Sequence, residues 1–148
     1  MSMSYRTAAR DDFASVYRLL GQLWPNLEFD LDRMRGVYER GLASGNDDML
    51  VAEDGGDIVG FGAMAIKNSF WQQACVAYIT TLVVDESRRG EGIGKSLVVA
   101  LTDRAKQSGC RRIELDSGFH REAAHKMYEH IGFGKRAYLF SKEIDATV

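Results

Sequence analysis

Apolar residues along the chain switch between two periods. Residues "SYRTAA" predict a short first strand, and Phe13, Val16, Tyr17 and Leu20 then recur at helical spacing. Asp11 or Asp12 is placed to cap that helix, and the only proline, Pro25, breaks the chain after Trp24. A second helix is expected over about residues 30–42, with Leu31, Met34, Val37 and Tyr38 on one face. The stretch "MLVAEDGGDIVGFGAMAI" then turns strand-like. Its two β-rich halves flank "EDGGD", a strong hairpin signal. A longer strand is predicted over "CVAYITTLVVD". Ile93, Leu97, Leu101 and Ala105 share one face of a helix that ends before Gly109. The chain closes with a strand at "RRIELDS", a helix over "REAAHKMYEHIGF" stopped by Gly132, and a last strand at "KRAYLFSKEI". The order β-α-α-β-β-β-α-β-α-β predicts an α/β (α+β) fold, a mixed sheet flanked by helices on both faces.

The chain has 148 residues, which suits one domain spanning 1–148 with a self-sufficient core. Net charge is −2, so no global field favours nucleic acid or an anionic membrane, and neither is expected as a partner. The charge is unevenly spread. Between Gln22 and Asp57 stand nine acids and three bases; between Glu86 and Lys126 stand nine bases and six acids. Two readings remain open: solvated surfaces of opposite sign, or a cationic substrate meeting an anionic cofactor. The opening "MSMSYRTAARDDF" has no apolar core of a secretory signal, and no apolar run reaches the ~18–20 residues of a membrane span. A cytoplasmic location with Cys75 and Cys110 reduced is therefore expected, although a single disulfide between them is open.

The candidate chemistry gathers at "RRGEGIGKS", Arg88 to Ser96, between a strand and a helix. Gly90, Gly92 and Gly94 permit close approach of the backbone, and the following helix opens with unpaired N–H groups and a positive dipole end. Together these predict an anion cradle, most naturally for phosphate. Two common nucleotide loops miss by one residue. A P-loop needs glycine at position 89, which is Arg89, and a dinucleotide fingerprint needs its third glycine at 95, which is Lys95.

"RRGEGIGKSL" resembles the acyl-CoA-binding motif of the GNAT superfamily of N-acetyltransferases, Gln/Arg-x-x-Gly-x-Gly/Ala, filled in register by Arg89, Gly92 and Gly94. "AYITTLVVDESRRGEGIG" resembles the family's fourth strand running into that motif. "AAHKMYEHIGF" resembles its later Ala-x-x-x-Tyr-x-x-x-Gly-Phe signature, matched by Ala124, Tyr128, Gly132 and Phe133. "YRTAARDDFASVYRLL" is similar to its opening strand and helix, so the likeness covers nearly the whole chain. The resemblance implies acetyl-CoA as co-substrate, no metal, and a small-molecule or peptide amine as acceptor. It also implies that the fourth strand splays from its neighbour, so that Leu82, Val83 and Val84 offer backbone groups to the pantetheine arm. The pyrophosphate would lie on Arg89, Gly90, Glu91, Gly92, Ile93, Gly94, Lys95 and Ser96. A homodimer is an expectation of the resemblance alone.

Acyl transfer from a thioester to an amine needs a neutral amine, a donor for charge developing on the thioester oxygen, and a proton for the departing thiolate. The resemblance makes Tyr128 the acid; its ordinary pKa of about 10 keeps it protonated at neutral pH. A packed helix tyrosine beside Phe133 is the plainer reading of the same residue. Many relatives carry a carboxylate in the fourth strand, where this chain has Thr80-Thr81. The base is then another residue, a water chain, or absent, with bulk solvent removing the proton. His120, Asp116 and His125 are the candidate residues, His120 because an imidazole ordinarily changes charge near neutrality. Arg121 stands where relatives often have asparagine, and either binds an anionic group or is solvated. His120, His125 and His130 are spaced by five, which spreads them around a helix and disfavours a shared metal. Trp24, Phe29, Phe70 and Trp71 either line an acceptor pocket, with Glu28 and Asp30 attracting a cation, or pack loops onto the sheet. Alternatives to the enzyme are a non-catalytic CoA-binding module and a nucleotide-phosphate binder.

Overall fold

A computed structural model describes residues 3–144. The chain divides into two compact units, Met1–Leu115 and Asp116–Val148. The first holds five strands, β1 (Met3–Thr7), β2 (Asp47–Asp54), β3 (Asp57–Ser69), β4 (Ala74–Val84) and β5 (Ile113–Leu115), in the spatial order of their numbering. β1 to β4 are antiparallel neighbours, and β5 joins β4 in parallel after a crossover through α3 (Ile93–Gln107). α1 (Phe13–Leu23) and α2 (Leu31–Ala43) lie between β1 and β2 in sequence. The second unit contains α4 (Glu122–His130).

Alternation along the strands assigns the two faces of the sheet. Met49, Val51, Phe61 and Val83 join Phe13, Val16, Leu19 and Leu20 of α1 and Tyr38 of α2 in one apolar cluster. On the opposite face α3 lies against two glycines. A Cβ on Gly60 would stand 3.0 Å from Leu97 Cδ1 and 3.3 Å from Ile93 Cγ2, and one on Gly62 would stand 3.0 Å from Leu101 Cδ1. Ile93, Leu97 and Leu101 are the i, i+4, i+8 ridge of the helix, so a stripe of missing side chains on β3 receives a stripe of leucine and isoleucine. Helices therefore cover both faces, as the pattern predicts.

Local chemistry explains most element ends. Asp30 caps α2, its carboxylate accepting the Arg33 N–H at 2.9 Å. Asp12 does not cap α1 with its side chain. Its carboxylate instead accepts the Ala9 N–H at 2.7 Å and the Arg6 guanidinium at 2.8 Å. Gly55-Gly56 makes the two-residue turn between β2 and β3 that "EDGGD" predicts. The closing strand is a correction: residues 135–144 form no strand, and Tyr138 and Phe140 are 77% and 91% exposed. Strand periodicity specifies a shape but supplies no neighbour to bond, and this segment has no ladder partner among the described residues. No helix among them is long and apolar enough to cross a membrane.

The packing of α3 gives a paired test. Gly60→Val should lower the free energy of unfolding by about 1–3 kcal/mol through overpacking. Gly21→Ala in α1, where nothing lies within 4 Å of the added methyl, should be neutral or stabilising by up to about 1 kcal/mol. Urea titration of both variants, with equal m-values, measures the contrast.

Candidate active site

The sheet opens where β4 passes the end of β5. β5 pairs only with Ala77, Tyr78 and Ile79. One residue later the β3–β4 register slips, Ala63 pairing Thr81 while Met64 pairs Ile79, so Thr80 is the extra residue of a bulge. Its hydroxyl lies 3.4 Å from Ala63 O. The slip changes which peptide groups face outward. Before it, the Ala77 N–H donates to Arg112 O at 3.0 Å across to β5's side. After it, Asp85 N–H donates to Val59 O at 2.8 Å, which makes Val59 and Asp85 a bonded antiparallel pair. Alternation then turns the peptide groups of Thr81 and Val83 to β3 and those of Leu82 and Val84 to the open side. Arg89 Nε donates to Val84 O at 3.2 Å from that side. Of the three strand residues expected to meet the cofactor, Leu82 and Val84 thus present backbone outward. Val83 is directed into the sheet by its backbone and into the core by its side chain, which is buried.

The loop leaving β4 is braced by side chains from distant parts of the chain. Asp85 accepts the Ser87 N–H at 3.0 Å, opening the short 3-10 turn Glu86–Arg88, and accepts Arg18 Nη1 at 2.9 Å. The Ser87 amide, with Arg18 beside it, holds the Asp85 carboxyl down at about 2. Gln22 Oε1 accepts the Glu86 N–H at 2.8 Å. Arg88 reaches Asp54 on the β2–β3 hairpin at 3.0 Å and Glu91 at 3.1 Å. Arg18, Gln22 and Asp54 carry no local signal for this role, because their partners lie 67, 64 and 34 positions away.

What remains open in the loop is backbone. Gly92 is the N-cap of α3, in the left-handed region at φ 85°, with no side-chain cap. Gly90 is also left-handed, at φ 83°. The first helical bond runs from Ser96 N–H to Gly92 O at 3.0 Å. The amides of Ile93, Gly94 and Lys95 therefore have no acceptor within the helix. They converge at the positive end of a 15-residue helix, an arrangement suited to a pyrophosphate. The other expected contacts divide by atom. The Ile93 side chain is buried, the Glu91 carboxylate serves Arg88, and the Ser96 amide is spent inside the helix. Ile93 and Glu91 are left with backbone groups, Ser96 with its hydroxyl, and Lys95 with an exposed ammonium.

In the second unit, α4 ends in a Schellman motif. Phe133 N–H donates to Tyr128 O at 2.9 Å and Gly132 N–H to Glu129 O at 3.1 Å, with Gly132 at φ 104°. The ring of Phe133 lies 5.9 Å from that of Tyr128, the apolar contact that accompanies such a cap. The spacing Tyr-x-x-x-Gly-Phe is thus a helix stop that seats the tyrosine ring. Burial pushes the Tyr128 hydroxyl above its ordinary pKa, and the nearby Arg121 charge opposes that. His120 sits in an exposed turn closed by Arg121 N–H to Gly118 O at 3.0 Å. Its imidazole lies over Gly118, where a Cβ would stand 2.7 Å from Cε1. Asp116 is exposed and His125 half-buried. Among the described residues no three His, Cys, Asp or Glu side chains cluster as metal ligands. The aromatics divide: Trp24 packs edge-on against Phe29 at 6.0 Å and against the core, whereas Phe70 and Trp71 stand exposed at the β3–β4 turn.

A mixed sheet with an open strand edge beside a glycine-led helix N-terminus is the framework of an acyl-CoA-dependent transferase. Residues 12–133 match the Acetyltransferase (GNAT) family, and the chain belongs to that family. It is 37% identical over 143 residues to a glucosamine 6-phosphate N-acetyltransferase of Trypanosoma brucei brucei, covering 90% of each chain. It is 28% identical over 139 residues to an aminoalkylphosphonate N-acetyltransferase of Salmonella typhimurium, covering 94% of this chain and 90% of that one. The crystal structure of glucosamine-6-phosphate N-acetyltransferase from Arabidopsis thaliana superposes with a TM-score of 0.80 at 25% identity, covering 97% of this chain and 100% of that one. The protein is an N-acetyltransferase that uses acyl-CoA.

Two outcomes follow from the loop. Gly92→Ala places a Cβ at a left-handed N-cap, and should cost about 1–2 kcal/mol of stability and raise KM for acetyl-CoA more than it lowers kcat. Asp85 has a lowered pKa, so its contribution is present above the unfolded carboxyl value near 3.9 and is lost as pH falls toward about 2. Denaturation of wild type and Asp85→Asn at pH 6 and pH 2.5 should show the wild-type advantage at pH 6 shrinking at pH 2.5.

Proposed function

We propose that the protein transfers the acetyl group of acetyl-CoA directly to the primary amine of a small acceptor bearing an anionic group. The open edge of β4 carries this reading: Leu82 and Val84 turn peptide groups away from β3, the Val84 carbonyl meeting Arg89, at the end of β4 nearest in sequence to the uncapped N-terminus of α3. The acyl thioester supplies an activated carbonyl. The Leu82 N–H is the donor for charge developing on its oxygen, and the amides of Ile93, Gly94 and Lys95 hold the pyrophosphate, with Arg89 and Lys95 adding positive charge.

Tyr128 gives its proton to the departing thiolate. Support comes from its place in the family signature and from burial, which keeps the hydroxyl protonated beyond its ordinary range. The strand position that carries a carboxylate in many relatives is Thr80-Thr81, so no acid on β4 removes the amine proton. His120, exposed in its turn, is the side chain we assign to that task. The acceptor class rests on the two relatives named for aminoalkylphosphonate and glucosamine 6-phosphate. A phosphate or phosphonate on the acceptor would add anchoring energy, and Arg121 is the side chain assigned to receive it.

Thiol release from acetyl-CoA, measured across aminoalkylphosphonates, amino sugar phosphates, polyamines and peptides, tests the reading. Turnover is expected with the phosphorylated or phosphonylated amines, and Tyr128→Phe should lower kcat about 10²-fold with little change in KM. Acetyl-CoA binding without turnover on any amine would instead make the chain a non-catalytic CoA-binding module. Undiminished kcat in Tyr128→Phe would remove the tyrosine from the mechanism.

A further inference from the structure

Two thiols that the transfer reaction does not use stand together in the first unit. Cys75 Sγ lies 3.7 Å from Cys110 Sγ, and both residues are half-buried and free. Each is held by a rigid backbone. Cys75 is near the start of β4, paired with Asn68 of β3, and its carbonyl accepts the Arg111 N–H at 3.0 Å. Cys110 directly follows the C-terminal stop of α3. Its N–H donates to Ala105 O at 2.9 Å and that of Gly109 to Lys106 O at 3.0 Å, a second Schellman motif. The Arg111 bond to Cys75 thus places adjacent backbones side by side at the entrance to β5. A disulfide of about 2.05 Å needs the two sulfurs to close by ~1.7 Å from their present separation.

We propose that Cys75 and Cys110 are a thiol-modification site, forming a reversible intramolecular disulfide with low-molecular-weight disulfides such as oxidised glutathione. The Cys75 thiolate attacks one sulfur of the small disulfide. One small thiolate leaves and takes up a proton, and a mixed disulfide remains on Cys75. The Cys110 thiolate then attacks the Cys75 sulfur and expels the second small thiol. Two electrons pass to the small disulfide, which ends as two thiols. Burial, with the Cys75 thiol beside it, pushes Cys110 up to about 11. We assign Cys75 as the first nucleophile and Cys110 as the resolving thiol, effective through its proximity at 3.7 Å.

The consequence follows from what lies between the two residues. They are 35 positions apart, and that interval contains most of β4, the braced loop, the uncapped helix start and all of α3. One bond therefore closes a covalent ring around the whole proposed cofactor-binding segment. It restricts the unfolded chain more than the folded one, and it locks the α3–β5 junction to β4.

The experiment uses the full chain and needs no acetyl acceptor. The protein is equilibrated with oxidised glutathione, quenched with an alkylating agent, and analysed by non-reducing peptide mapping and thermal melting. The expected result is one peptide pair joined through Cys75 and Cys110, and a melting temperature raised by about 5–10 °C that dithiothreitol reverses. Cys110→Ser should stop at glutathione on Cys75, with no ring and no such rise. Separate glutathione adducts on both cysteines of the wild type, chains cross-linked to one another, two alkylatable thiols, or a ring that leaves the melting temperature unchanged would each overturn the proposal.

Discussion

The depth at which α3 sits on the sheet is the constraint from which the rest of the first unit follows. Gly60 and Gly62 remove two side chains from β3, and Ile93, Leu97 and Leu101 occupy that space. Ile93 is at once the first residue of the helix and a buried member of the core. The same residue therefore fixes the helix axis and the position of its free amides. A helix held higher, over ordinary side chains, would carry its positive end away from the strand that leads to it. The glycines at 60 and 62 act through packing and those at 90 and 92 through backbone conformation, and both serve one geometry.

The loop shows how the chain holds open backbone without filling it. Asp85, Glu91 and Asp54 absorb Arg18 and Arg88, so the charged side chains closest in sequence to the cradle are largely spent on one another. An anion arriving at α3 would meet amides and the helix dipole, together with Arg89 and Lys95, and no unpaired carboxylate from this set. Exposed ion pairs of this kind contribute little stability singly. Their value here is geometric: Arg18, Gln22 and Arg88 tie the loop to α1 and to the β2–β3 hairpin at points far apart in sequence.

Much of this was legible from local signals. The spacing of Ile93, Leu97 and Leu101, the cap at Asp30 and the turn at Gly55-Gly56 each depend on residues close in sequence, and each forms as read. The glycine loop was legible for the same reason. The bulge at Thr80 was not, since a slipped register is a relation between two strands and leaves no mark on either alone. Its effect is nevertheless large, because it turns Leu82 rather than Val83 outward. The bracing by Arg18, Gln22 and Asp54 was hidden for a similar reason. The strand read at residues 135–144 failed in the opposite direction: its local pattern was sound and no ladder partner stands among the described residues. The signature around Tyr128 was found as a family mark, and the structure gives it a cause in the helix stop at Gly132 and the ring of Phe133.

Threonine at 80 and 81 changes what the chemistry asks of the other groups. The Thr80 hydroxyl lies against Ala63 O at the bulge and has a structural use there. With no carboxylate on β4, the amine must shed its proton to a group outside that strand, the role proposed for His120, or arrive already neutral, which for an ordinary alkyl amine favours alkaline pH. The tyrosine acid proposed above works against that requirement, because an ordinary phenol loses its proton near pH 10, where such amines lose theirs. Burial raises Tyr128 and so separates the two ionisations. The pH interval in which the amine is neutral and the phenol still protonated is widened. A half-buried tyrosine held against Phe133 therefore suits the acid role proposed for it in a chain whose β4 carries no carboxylate.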